Sequence, residues 1–228
     1  RAAGAQLQFA MLPAALVPFL GFNVAMLACH MAAVPPQLFD PGCTKYFNRW
    51  VYLTYQSNVI CTIYFGVSLV DDVLGDGALA PWLLTLFPLI FALGTFLTLA
   101  YYALDHFNPE NFRRKERHKA QYPYVHWCSH LEHGHALPLV LLHGATVRLS
   151  PGAELPTSTD VARTVGVYYV FYLLWTHLNY SLTGLWQYPV INDVTRRGGV
   201  ALRIVFFAAL GSLFIVFGVG GSALLHAR

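Results

Sequence analysis

Six apolar stretches, each long enough to cross a lipid bilayer as a helix, account for most of the chain. They cover residues 7–34, 44–70, 81–104, 123–146, 162–189 and 200–225. A helix needs about 20 residues to span the hydrocarbon core, whereas the strands of a membrane β-barrel are about ten residues long and alternate in polarity. We therefore predict an all-α fold with a single domain over residues 1–228, a polytopic bundle of about six transmembrane helices.

The low charge content supports a lipid environment. Only 11% of the 228 residues are charged and 56% are hydrophobic, whereas soluble domains usually carry roughly 25% charged residues. The formal net charge of +3 is too small to indicate a nucleic-acid-binding protein. We expect membrane lipids as partners and no nucleic acid.

Lysine and arginine are distributed unevenly between the two sides of the predicted membrane. Ten of the 14 lie in or beside the loops that follow the first, third and fifth stretches. The positive-inside rule places that side in the cytosol or the matrix, and both termini on the opposite side. The densest run is read either as a contact with anionic lipid head groups or as an ordinary topology signal; its cations are Arg113, Arg114, Lys115, Arg117 and Lys119.

Ionisable residues inside the apolar stretches are usually functional, and here they concentrate in residues 123–146. His126, His130 and His133 share one helical face. Three interpretations are open: metal or haem ligands, hydrogen bonds across helices, or a catalytic general base. Because no second dense cluster of ligands exists, we expect neither a metal nor another cofactor. Glu132 must either be protonated or, if ionised, bond a partner such as a histidine or an arginine.

A general base needs a group to activate, and the second stretch offers Thr54. A threonine in a membrane helix usually donates to a carbonyl of its own helix. However, if the second helix starts at Thr44 and the fourth at Pro123, then Thr54 and His133 both lie ten residues into parallel helices. At about 1.5 Å per residue both would lie about 15 Å deep, so they are predicted to face each other.

Three sequence blocks resemble one known family. The first block is Arg49-Trp50-Val51-Tyr52-Leu53-Thr54, with Asp71-Asp72-Val73-Leu74 further on. The second block is Trp127-Cys128-Ser129-His130-Leu131-Glu132-His133, followed by Leu137-Pro138. The third block is Leu174-Trp175, followed by Thr183-Gly184-Leu185-Trp186-Gln187-Tyr188-Pro189. With these three blocks in this order, the chain resembles the androgen-induced-gene family. Its members are multi-pass membrane proteins, and those characterised are threonine hydrolases of fatty acid esters of hydroxy fatty acids.

The resemblance implies a site and a substrate class. Thr54 matches the family's nucleophile and His133 its catalytic histidine. Independently of the resemblance, the candidate supporting polar residues are Asn58, Ser129, His130 and Glu132. The implied substrate is a long-chain acyl ester, and the implied location is an endomembrane or the plasma membrane.

The alternative is a non-catalytic accessory subunit of a larger membrane complex, for example a respiratory assembly of the mitochondrial inner membrane. In this interpretation the fold persists without the activity. This alternative is motivated by two departures from the family pattern: Cys61 stands where the family often has glutamine, and Ser129 stands where it often has asparagine. The sequence starts at Arg1 rather than Met, so we expect a processed or trimmed start. Other membrane subunits would then be the partners.

Overall fold

The computed structural model describes residues 42–74, 77–147, 149 and 154–227. The predicted first span, residues 7–34, lies outside them. Within the described part all regular structure is helical, which confirms the all-α prediction. A short 3-10 helix, Asn48–Val51, precedes α1 (Leu53–Leu74), α2 (Ala80–Ala100), a π-helical segment (Tyr101–His106), α3 (Pro109–Lys119), α4 (Val125–Gly134), α5 (Ala136–Thr146), α6 (Ser158–Thr183) and α7 (Pro189–His226).

Helix α1 begins later than the predicted stretch 44–70. Asn48 has a φ of 50°, and Tyr52 is extended with a φ of −89° and a ψ of 131°. Both conformations are incompatible with a continuous helix, and asparagine is among the few residues that adopt the left-handed region readily. As a result Thr54 lies in the first turn of α1 rather than deep within it.

Helix α2 forms the centre of the packing, against α1, α5, α6 and α7. Phe87, Ala92 and Leu93 on it are fully buried. The segments Ala80–Leu104 and Pro189–His226 are long and apolar enough to cross a membrane, and the most apolar 18 residues of each have mean hydropathies of 2.2 and 2.4. Helix α7 is kinked at Gly198 and Gly199, whose torsions are not helical. Most of the apolar surface of α7 points away from the rest of the protein, in contrast to α2.

The predicted stretch 123–146 forms two helices, α4 and α5, that break at His135. Pro138 accounts for the break: it has no N–H to donate to the Gly134 carbonyl, and its ring crowds that carbonyl. The end of α4 therefore needs hydrogen-bond partners from elsewhere in the protein.

Successive long helices run in alternating directions, so the bundle has two distinct ends. At one end the start of α1 contacts the segment before α7, where Leu53 N–H donates to Tyr188 Oη at 2.9 Å. At the other end the last part of α7 contacts the loop before α6, where Ser222 Oγ donates to the Pro156 carbonyl at 2.9 Å. The basic helix α3 lies at the first of these ends, since it follows α2 directly.

Candidate active site

Thr54 and His133 lie side by side although they are 79 positions apart in the sequence. Thr54 Oγ1 is 3.1 Å from His133 Nε2, and His133 Nδ1 is 2.7 Å from the Ser129 carbonyl oxygen. A carbonyl oxygen can only accept, so Nδ1 carries the proton and Nε2 presents a lone pair. The Thr54 hydroxyl therefore donates to Nε2. This is the arrangement in which an imidazole activates a hydroxyl nucleophile.

The start of α1 is held in place by α6 and by the segment before α7. The Tyr188 hydroxyl accepts the Leu53 N–H, and the Tyr172 hydroxyl donates to the Val51 carbonyl at 3.1 Å. Both tyrosines contact backbone groups within a few residues of Thr54. The first and third sequence blocks therefore meet in space, and the third block helps to hold the backbone next to Thr54.

The end of α4, which carries His133, is held by Thr98 on α2. Thr98 Oγ1 donates to the His133 carbonyl at 2.5 Å and accepts the Leu137 N–H at 3.2 Å. One hydroxyl thus satisfies a donor and an acceptor on the two sides of the break between α4 and α5. Because such backbone groups are costly when unpaired in an apolar interior, Thr98 stabilises the backbone at His133.

The His133 ring is stacked on Tyr101, the first residue of the π-helical segment. Their ring centroids are 4.1 Å apart and the planes differ by 13°. The next residue, Tyr102, places its hydroxyl 3.1 Å from His130 Nδ1. A Cβ added to Gly134 would lie 2.9 Å from the same hydroxyl, so glycine allows this close approach. Short π-helical segments are frequent at functional sites, and this one turns two consecutive tyrosines towards α4.

The predicted supporting residues surround the pair in different ways. Asn58 is buried and donates to the Glu132 carbonyl at 3.4 Å. The Glu132 side chain is also buried, and it interacts electrostatically with Arg49. Ser129 contributes its carbonyl to His133, whereas His130 contacts Tyr102. Their catalytic roles stay predictions.

The basic run forms α3, and its side chains differ in direction. Arg113, Arg117 and Lys119 are exposed, and the Arg114 side chain is outside the described part. Lys115 is half-buried, and its Nζ is 3.5 Å from Tyr101 Oη. One cation of the run therefore points towards the stacked rings, while three point outwards.

The starting points that we used to pair Thr54 with His133 differ from those in the structure. The two residues were expected at equal distances from Thr44 and Pro123, but α1 starts at Leu53 and α4 at Val125. The contact nevertheless forms, between the first turn of α1 and the last turn of α4. Sequence reasoning missed three residues that hold the pair: Thr98, Tyr101 and Tyr188. Only Tyr188 carried a signal, as part of the third block.

A cavity of about 630 Å³ lies on another face of α1. Its lining includes Gln56 and Ile60 of α1 together with Trp50 and Trp175, and it is mostly apolar. Thr54 and His133 do not line it. No group of three or more histidine, cysteine or acidic side chains suited to a metal ion occurs among the described residues.

Comparisons with known proteins extend over nearly the whole chain. A family described as FAR-17a/AIG1-like protein matches residues 14–226. The chain is 23% identical to the human androgen-induced gene 1 protein over 220 residues, covering 86% of this chain and 84% of that protein. It is 27% identical to the human androgen-dependent TFPI-regulating protein over 199 residues, covering 80% of this chain and 78% of that protein. No solved structure matches it.

Proposed function

Because the chain belongs to the FAR-17a/AIG1-like family, as the sequence blocks predicted, we propose that it is an intramembrane lipid ester hydrolase with Thr54 as nucleophile and His133 as general base. The 3.1 Å contact between Thr54 Oγ1 and His133 Nε2 carries the proposal. The substrate is a long-chain acyl ester, as in the hydrolases of fatty acid esters of hydroxy fatty acids that the chain resembles.

The reaction has two acyl-transfer steps. Nε2 takes the Thr54 hydroxyl proton while Oγ1 attacks the ester carbonyl carbon, and the alcohol leaves with that proton. Water then attacks the acyl-threonine and gives a proton to Nε2. The bond between the acyl carbon and Thr54 Oγ1 then breaks, Oγ1 takes the proton back from Nε2, and the carboxylic acid is released. The hydrogen bond from Nδ1 to the Ser129 carbonyl keeps the ring in the required tautomer throughout.

Each tetrahedral intermediate carries an oxyanion that needs hydrogen-bond donors. Thr54 lies in the first turn of α1, where backbone N–H groups have no acceptor within their own helix. We assign the Thr54 N–H, adjacent to the nucleophilic oxygen, as one donor. Side chains of Asn58, Ser129 and His130 are the further candidates.

The proposed environment is a bilayer crossed by a bundle of about six helices, in an endomembrane or the plasma membrane. The two long apolar helices support it. Further support comes from large apolar side chains that point outwards elsewhere: Val73 on α1 is 70% exposed and Leu174 on α6 is 65% exposed. The exposed cations of α3 would contact anionic lipid head groups, beside the exposed aromatic rings of Phe112 and Trp127.

Labelling with a lipophilic fluorophosphonate tests the proposal directly. The detergent-solubilised wild type should be labelled, and Thr54→Ala and His133→Ala should lose the label because one lacks the nucleophile and the other the base. Thr85→Ala is the matched control, since the Thr85 hydroxyl donates only to the Pro81 carbonyl of its own helix at 2.9 Å among the described contacts. This variant should be labelled like the wild type.

The absence of label on a folded wild type would contradict the proposal and favour the accessory-subunit alternative. The next measurement would then be purification in a mild detergent. Stable co-purification with other membrane proteins would support a subunit role, whereas isolation of a lone monomer would count against it.

A further inference from the structure

Among the described side chains of the basic run, that of Lys115 lies nearest to the candidate active site. Its Nζ is 3.5 Å from Tyr101 Oη and 5.0 Å from the centre of the Tyr101 ring. The same ring is stacked on His133 at 4.1 Å. The ammonium group and the proposed base are therefore neighbours of one buried aromatic side chain.

Further cationic or proton-donating groups collect around Lys115. The rings of His106 and His130 are 4.8 Å apart, and both lie against Tyr102. Both rings also lie near the Tyr101 ring, at centroid distances of 5.8 Å for His106 and 6.0 Å for His130. Glu116 on α3 is paired with His126 at 2.8 Å on the exposed side.

We propose that Lys115, Tyr101 Oη and the imidazoles of His106 and His130 form a subsite for the anionic group of a lipid. An ammonium group gives strong charge-assisted hydrogen bonds to carboxylate or phosphate oxygens, and the phenol and imidazole N–H groups add neutral donors. An anion in an apolar setting needs such donors, because it loses its hydration there.

This subsite extends the proposed function by naming a feature of the substrate. If Thr54 attacks an ester, the acyl ester bound there would carry a carboxylate or a phosphate at a fixed distance from the reacting carbonyl. The exposed cations Arg113, Arg117 and Lys119 would meet bulk head groups, whereas Lys115 would select the molecule that enters the site. The anion subsite can be measured by binding alone, without turnover.

The experiment measures the affinity of the full chain in detergent at pH 7.5 for three fluorescent ligands of equal length: a fatty acid, the fatty alcohol and an alkyl phosphate. Lys115→Gln should weaken binding of the anionic ligand by about tenfold and leave the alcohol unchanged. Lys115→Arg, which keeps the charge, should retain most of the affinity. Arg197→Gln removes an exposed charge of the same sign outside this region and should behave like the wild type.

The comparison between the two anions identifies the source of the group. If Lys115→Gln loses affinity for the fatty acid alone, the result supports a carboxylate subsite. If it loses affinity for the alkyl phosphate alone, the result supports a phosphate subsite. The proposal is overturned if Lys115→Gln weakens the alcohol as much as the anions, since Lys115 would then act through packing, or if it weakens neither anion. Fluorophosphonate labelling reports separately on Thr54, so a failed hydrolase with an intact anion subsite is distinguishable.

Discussion

The position of one proton on His133 determines what Thr54 can do at the candidate site. With Nδ1 held by the Ser129 carbonyl, Nε2 is an acceptor, and the Thr54 hydroxyl is a donor. The opposite tautomer would turn Nε2 into a donor and leave no base for the hydroxyl. The carbonyl belongs to the same helix as the histidine, one turn earlier, so the tautomer is set by α4 itself.

Tyr101 is predicted to act as a positioning residue for His133. Tyr101→Leu removes the stacked ring, and the imidazole then gains rotational freedom. We expect the fluorophosphonate labelling rate to fall by about tenfold to a hundredfold, because small misplacements of a catalytic group have effects of that size. Tyr101→Phe keeps the ring and should change the rate by less than about threefold.

The pH profile of labelling separates positioning from a general loss of structure. A displaced imidazole changes the acid limb of the profile, whereas partial unfolding lowers the rate equally at every pH. Labelling of Tyr101→Leu at the wild-type rate would show that the stack does not hold the base.

At the scale of single residues, the sequence predicted the residues that carry the proposed chemistry but not the residues that hold them in place. Thr54 and His133 could be selected from their residue types and from the family blocks. Tyr101 could not, because a tyrosine within an apolar helix is indistinguishable from a packing residue until the π-helical segment turns it towards α4.

At the scale of helices, apolar length predicted which segments are helical but not where they begin. Asn48 and Tyr52 delay α1, and Pro138 divides the fourth stretch in two. Hydropathy does not register either effect, since both depend on backbone torsions and missing donors rather than on side-chain polarity. The depth calculation from Thr44 and Pro123 therefore used the wrong starting points.

The start of α6 provides a pH-dependent prediction outside the apolar part of the helix. Asp160 accepts from the Thr157 hydroxyl at 2.6 Å and from the Thr157 N–H at 3.2 Å, in a capping box. These donors favour the ionised carboxylate and lower the pKa of Asp160 below its ordinary value of 3.8. The stabilisation is therefore complete at neutral pH and is lost as the pH falls through the lowered pKa.

We expect Asp160→Asn to melt below the wild type at pH 7, by less than about 4 °C because the cap is exposed. The difference should shrink below about pH 4, where the wild-type carboxyl also becomes protonated. Thermal unfolding in detergent between pH 7 and pH 3 measures it. A difference that stays constant over this range would show that the charge of Asp160 does not contribute.

At the scale of the whole molecule, the candidate site and the positive charge lie at the same end. The start of α1, the end of α2 with the π-helical segment, and the end of α4 meet there. Water for hydrolysis of an acyl-threonine would enter from this end, so the proposed chemistry requires that this end faces an aqueous compartment.

Single-cysteine accessibility in sealed vesicles tests that orientation. In a background without the native cysteines, Arg117→Cys and Arg197→Cys should react with a membrane-impermeant maleimide from the same face, because α3 and the start of α7 lie on the basic side. Glu154→Cys, in the loop before α6, should react almost only from the opposite face, since α6 would separate it from Arg197 by one crossing of the bilayer. Detergent permeabilisation, which should expose all three positions, is the control. If Arg117→Cys and Glu154→Cys reacted from the same face, the alternation of spans would be wrong. The placement of α3 and the loop before α6 on opposite faces would then have to be given up, and with it the proposed position of the Thr54 site at the basic face.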